Sequence, residues 1–161
     1  MLNPSLESPS GIHPTAIVHP KAELGIDVSI GPYSTIGPNV VLGEGTYVAA
    51  GAIVTVNVRI GRFVTVNMQC QVAHDDVLAD FVTLHPDAHV SGNVTIGVGC
   101  ELGTGSIVIP GRQVGDWAVL GAGCVAVRSL PGDRKYVGIP ARAMTQTRAP
   151  SYARGSPGTG R

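Results

Sequence analysis

The sequence predicts an all-β chain folded as a parallel β-helix, a three-sided prism of hexapeptide repeats. The first observation is a period of six that never slips. Counting from Ile12, the residues Val18, Leu24, Ile30, Ile36, Leu42, Val48 and Val54, onward to Val108, Val114 and Leu120, are all Ile, Leu or Val. The second is a column four residues later, including Ala16, Ala22, Val28, Val40, Ala52, Cys70, Ala118 and Cys124, which is mostly small or β-branched. The third is glycine directly after the aliphatic residue, as at Gly25, Gly31, Gly37, Gly43, Gly61, Gly97, Gly103, Gly115 and Gly121, which suits tight turning and close approach of backbones.

Each hexad is one short strand plus a turn and cannot bury its apolar face alone, so the core must come from stacking. With three strands to a triangular coil, residues i and i+18 stack about 4.8 Å apart. Six coils would stand about 29 Å tall at that spacing.

In chain order, residues 1–11 read as a disordered Pro/Ser leader, 12–125 as the prism, 126–144 as an extended C-terminal arm and 145–161 as a disordered Gly/Pro-rich tail. A chain of 161 residues with 43% hydrophobic content, 22 glycines and 4% aromatics fits one repeat domain whose core is Val, Ile, Leu and Ala. Eleven basic and eleven acidic residues leave no net charge, so neither a nucleic acid nor a membrane surface is expected as partner. The start MLNPSLESPSG has no basic or apolar run of a signal peptide, and no stretch is long enough to span a bilayer, so a cytoplasmic protein is expected. The three cysteines all fall in the inward column. Cys70 and Cys124 share a face but lie three coils apart, about 14 Å against the ~7 Å limit for a disulfide, so free buried thiols are expected.

Two positions break the inward column, Asp76 and Arg112. A charge facing a dry core is costly unless paired, and the two share a face two coils apart with Val94 between them. Either Arg112 reaches over Val94 to Asp76, or the pair marks a local widening next to His74, or both corners are distorted and the charges reach solvent.

His74 falls at the third position of its hexad, where the chain turns at a prism corner. Its stacking neighbours are Pro20, Pro38, Val56, Gly92 and Pro110, so it is the titratable side chain of that column. Asp75 follows it and Gly92 stacks one coil on. Asn67 and His85, 18 residues apart, share an outward column on successive coils.

The repeat array together with Asn67, His74-Asp75, Asp80-Phe81-Val82, Ser91-Gly92-Asn93-Val94, Val119-Leu120-Gly121-Ala122-Gly123 and Gly138-Ile139-Pro140-Ala141-Arg142 resembles the left-handed β-helix acetyltransferases, most of all the NeuD/PglD-like bacterial sugar O- and N-acetyltransferases. The left hand of the coil comes from this resemblance. So does the activity it implies: transfer of an acetyl group from acetyl-CoA to an amine or hydroxyl of a sugar or nucleotide sugar, with no metal required. A histidine titrating near ~6.5 suits the general base such a transfer needs, which assigns that role to His74. Asp75 would fix its tautomer, and the Gly92 N–H would face the developing oxyanion. By the same resemblance Asn67 lies near the acceptor. His85 stands beside it by the spacing of 18 and has no matching role in the family; it is read either as a surface histidine or as an acceptor contact. Contacts to coenzyme A are expected at Thr83, where relatives have histidine, and at Gly103, Thr104, Gly121, Ala122 and Arg142. The relatives are trimers with sites between subunits, and the same is expected here. They also carry an N-terminal nucleotide-sugar-binding domain, so here the acceptor would be held by the prism, a neighbouring subunit or a separate protein.

Two rival functions use the same fold. A metalloenzyme of the γ-carbonic-anhydrase class would draw on His13, His19, His74, His85 and His89. Since His85 and His89 read as one strand with about 13 Å between them, they would not share one zinc. A non-catalytic scaffold would tolerate loss of His74.

Overall fold

The computed structural model describes residues 11–144. The expectations for most of the leader and for the tail lie outside the described residues. No described residue is helical, and the described residues form 21 strands, nearly all two residues long. They are so short because each hexad spends its other four residues turning a corner. The strands sort into three parallel sheets, the faces of a left-handed parallel β-helix.

The first face runs from Ile17–Val18 through Gln71–Val72 and His89–Val90 to Val125–Ala126 and has seven strands. The second runs from Glu23–Leu24 to Gln113–Val114 with six, and the third from Ser29–Ile30 to Val119–Leu120 before the arm joins it. Register is one coil throughout: Gln71 pairs with His89, Val77 with Thr95, Thr83 with Glu101. Each pair is 18 apart, as the period requires.

The aliphatic column forms the core, with Val54, Val72, Leu84, Ile96 and Leu102 fully buried. The second inward column tolerates small polar groups for a specific reason. Ser34 Oγ donates to the Ala49 carbonyl at 2.7 Å and Thr46 Oγ1 to the Gly61 carbonyl at 2.9 Å, each 15 residues on. Cys70 and Cys100 make the same reach, 3.1 Å to the carbonyls of His85 and Gly115. All three cysteines are free and buried.

Corners place a residue in the left-handed region, with φ of 58 at Asn39, 59 at Asn57, 61 at Asp75 and 61 at Asn93. Asn and Asp accept that conformation more readily than other non-glycine residues. Glycine after the aliphatic residue answers to a different need, because a Cβ on Gly43 would stand 2.5 Å from the backbone of Gly61 in the next coil.

Past residue 126 the repeat shortens rather than stopping. Lys135–Val137 still pairs in parallel with the third face, but Val119 meets Lys135, a spacing of 16 instead of 18. Arg142–Ala143 then turns back antiparallel on that strand and closes the sheet edge.

The suggested Asp76–Arg112 ion pair does not form. Among the described residues the ion pairs are Arg62–Asp80 and His74–Asp75. Asp76 is fully buried, accepts the Val94 N–H at 2.8 Å through Oδ1, and leaves Oδ2 without a partner. Val94, itself fully buried, fills the layer between the two side chains.

Candidate active site

His74 stands at the corner between the first and second faces, and its position there follows from the phase of the repeat. Its side chain is 57% exposed, so an incoming molecule can reach the ring. Nδ1 lies 2.9 Å from Asp75 Oδ2. An ionised carboxylate only accepts, so Nδ1 carries the hydrogen and Nε2 is left bare to take a proton. The hydrogen bond from His74, then one from Asn57, hold the Asp75 carboxyl below its ordinary range, which keeps it a carboxylate.

Gly92, one coil on, lies directly against the ring. A Cβ added to it would sit 2.5 Å from His74 Cε1 and Nε2, so glycine is there for space and not for an unusual φ. Its N–H has no acceptor among the described residues, whereas the flanking Ser91 and Asn93 donate to Val108 and His74. Other coils explain this vacancy. Pro20, Pro38 and Pro110 occupy the same column, so the position needs no N–H for the ladder. At Gly92 that spare donor stands beside the His74 ring.

The other residues singled out from sequence gather elsewhere. Asn67 and His85 are half-buried neighbours at the outer edge of the third face, with Thr83 on the same face. Gly103 and Gly121 stack there too. Thr104 and Ala122 form the corner between third and first faces, and their N–H groups have no acceptor among the described residues. That column also contains Pro32 and Pro86. Within one chain the whole first face separates this set from His74. Arg142 lies in the arm, exposed, its Nη1 donating to its own neighbour's carbonyl at Ala141.

His85 and His89 do not share a strand, contrary to expectation. The corner at Pro86-Asp87 comes between them, leaving His85 at the third face and His89 on the first. Among the described residues no three His, Cys, Asp or Glu side chains converge as a metal site.

Two features escaped the sequence reading. A groove of about 150 Å³ on the first face, beside His74, is lined by Ile53, Thr55, Gln71, Ala73, His89 and Ser91. The spacing of 18 between Gln71 and His89 was the available signal. At the C-terminal end a cavity of about 260 Å³ is bordered by Arg128, Arg134 and Arg142 with Leu130 and Tyr136. Nothing local in sequence could gather these arginines, because they lie where the period has already shortened.

The profile of the bacterial transferase hexapeptide (six repeats) matches residues 21–55. The repeat that runs on through the chain has the same hexapeptide period as the matched segment. Among curated proteins the chain is 30% identical over 117 residues to a GDP-perosamine N-acetyltransferase of Escherichia coli O157:H7, covering 63% of the present chain and 51% of that one. A perosamine N-acetyltransferase from Caulobacter crescentus, crystallised with CoA and GDP-perosamine after replacement of one histidine by asparagine, superimposes with a TM-score of 0.69 at 32% identity, over 84% of this chain and 56% of that one. The acetyltransferase domain of PglB from Neisseria gonorrhoeae FA1090 gives 0.52 at 31% identity, over 80% and 57%. The hexapeptide-repeat chain thus spans about half the length of the relatives it matches.

Proposed function

We propose that this chain transfers an acetyl group from acetyl-CoA to an amine or hydroxyl of a sugar or nucleotide sugar, with His74 as general base. The observation that carries the reading is the stack of an exposed, Asp75-oriented imidazole on a glycine whose N–H is free. His74 Nε2 removes the proton from the acceptor as its N or O bonds to the acetyl carbon. The Gly92 N–H stabilises the oxyanion, the C–S bond breaks, and the thiolate recovers the proton from His74. Relatives named for GDP-perosamine support a sugar acceptor.

The donor's binding groups fit the residues present. Unused N–H groups at Thr104 and Ala122 suit the amide carbonyls of a pantetheine arm, and Arg128, Arg134 and Arg142 suit the phosphates at its nucleotide end. Since one chain keeps its His74 corner a full face away from these groups, the reading calls for a homotrimer in which one subunit's corner meets the third face of the next.

Replacing His74 by Ala is expected to lower acetyl transfer at least ~10²-fold while leaving coenzyme A affinity within about twofold. Wild-type turnover in that variant would end the proposal. Mixing His74→Ala and Asn67→Ala subunits should restore part of the activity if sites are shared. A fully active monomer in sedimentation would refute the trimer.

A further inference from the structure

Asp75 is not held by His74 alone. Its other oxygen, Oδ1, accepts from Asn57 Nδ2 at 3.0 Å, and Asn57 Oδ1 in turn accepts from Asn39 Nδ2 at 3.0 Å. The three residues are spaced by 18, so each sits one coil below the next at the same corner. Stacked amides at the inter-strand spacing form such ladders readily, as they do in cross-β assemblies.

The polarity of this ladder is determined, because the carboxylate at its end can only accept. Asn57 must therefore turn its NH₂ toward Asp75 and its carbonyl toward Asn39. The amide of Asn39 then has to donate. We propose that Asn57, backed by Asn39, is a positioning residue for His74, acting through Asp75 to hold the imidazole in the tautomer that leaves Nε2 bare. This rests on the reading of His74 as the base.

Backbone need does not account for the ladder. The corner asks only for a positive φ, which Gly111 meets in the same column at φ 70 without any side chain. Nor is the ladder an automatic consequence of stacking asparagine at that corner. Asn93, one coil above Asp75 with φ 61, makes no side-chain hydrogen bond among the described residues. Asp75 has one oxygen engaged by His74 and the other by Asn57. The ladder ends at the residue beside the base.

Asn57→Gly is the discriminating variant, since glycine keeps the corner conformation and deletes the amide. The experiment is ring-¹⁵N NMR of the full chain with labelled histidine, His74 being assigned by its loss in His74→Gln. Wild type is expected to show His74 neutral chiefly as the Nδ1–H form. Asn57→Gly should shift it toward a mixture with the Nε2–H form, and Asn39→Gly should do so less. In an acetyl-transfer assay, Asn57→Gly should lower kcat about fivefold, the worth of one hydrogen bond, with KM for acetyl-CoA unchanged.

An unaltered tautomer in folded Asn57→Gly overturns the proposal. If that variant does not fold, wild type decides: the Asn57 side-chain amide signals should move in step with His74 titration, and their failure to do so overturns it. The NMR result is independent of turnover. A tautomer shift in a protein without acetyl transfer would support the ladder and sink the catalytic reading, while loss of turnover in His74→Ala with no tautomer shift in Asn57→Gly would do the reverse.

Discussion

At the scale of the residue, the site depends on a glycine whose missing Cβ lets an imidazole lie flat over the next coil. Gly92→Ala puts a methyl group 2.5 Å from the ring, and the ring must swing away because the backbone on either side of Gly92 is held by the Ser91 and Asn93 hydrogen bonds to Val108 and His74. The expected result is a fall in kcat of about 10²-fold with the chain still folded, since misplacing a catalytic group by an ångström costs on that order. Kinetics beside a thermal melt would show it, and unchanged kcat would contradict the placement of His74. The cysteines make the opposite case. Burial pushes the Cys70 thiol up to about 11, and Cys100 and Cys124 also rise by burial. At pH 8 none should react with a thiol reagent until denaturant is added, when three equivalents should appear. The pairing of 74 with 92 was readable from sequence because 18 is one coil. The Asn39–Asn57–Asp75 ladder was spelled in the same arithmetic, but reading it needs the side-chain directions that only a left-handed corner provides.

At the scale of the element, the coil containing His74 has a weak point one residue past the His74–Asp75 pair. Asp76 is raised from the ordinary carboxyl range to about 7, first because burial disfavours its charge and despite the Val94 N–H that it accepts. A folded-state value above the unfolded one means the folded chain holds this proton more tightly. Stability from this group should therefore fall as pH rises from about 4 to about 7 and then level off, by on the order of 4 kcal/mol. Asp76→Asn keeps the acceptor for Val94 and removes the titration. It should be more stable than wild type at pH 8 and about equal at pH 4 in denaturant titrations. Equal stabilities at both values would show that Asp76 does not titrate in this window. The sequence marked Asp76 as an exception in its column but suggested Arg112 as partner. Counting coils cannot reveal that a fully buried Val94 fills the layer between them.

At the scale of the whole molecule, stability in a stack is close to a sum over neighbouring coils, and the ends carry a burden the middle does not. Every interior strand is paired on both sides. A last strand left uncovered would offer bare N–H and C=O groups, a template for unwanted pairing. Here Leu130 bonds to Gln113 and Gly115 at the end of the second face, while Gly138 and Ala141 bond to Val125 at the end of the first. The repeat predicted the stack of strands from first coil to last. It could say little of the end, because capping begins where the period drops to 16 and the hexad rules stop applying. There Tyr136 takes the place of an aliphatic core residue. It is 4% exposed, it registers against Leu120, and its hydroxyl donates to the Pro131 carbonyl at 2.7 Å. One aromatic side chain thus fills the top of the prism and ties down the turn leading to the closing hairpin. Tyr136→Ala should cost about 3–5 kcal/mol, as for other buried aromatic truncations, and should free Lys135–Val137 and Arg142–Ala143 from the third face. Tyr136→Phe should cost only about 1 kcal/mol, the net worth of the lost hydrogen bond. Denaturant curves measure both. Light scattering adds the decisive reading, because an uncapped third face should make Tyr136→Ala associate end to end at concentrations where Tyr136→Phe does not. If the alanine variant stays as stable as the phenylalanine one, the cap is held by something other than this ring.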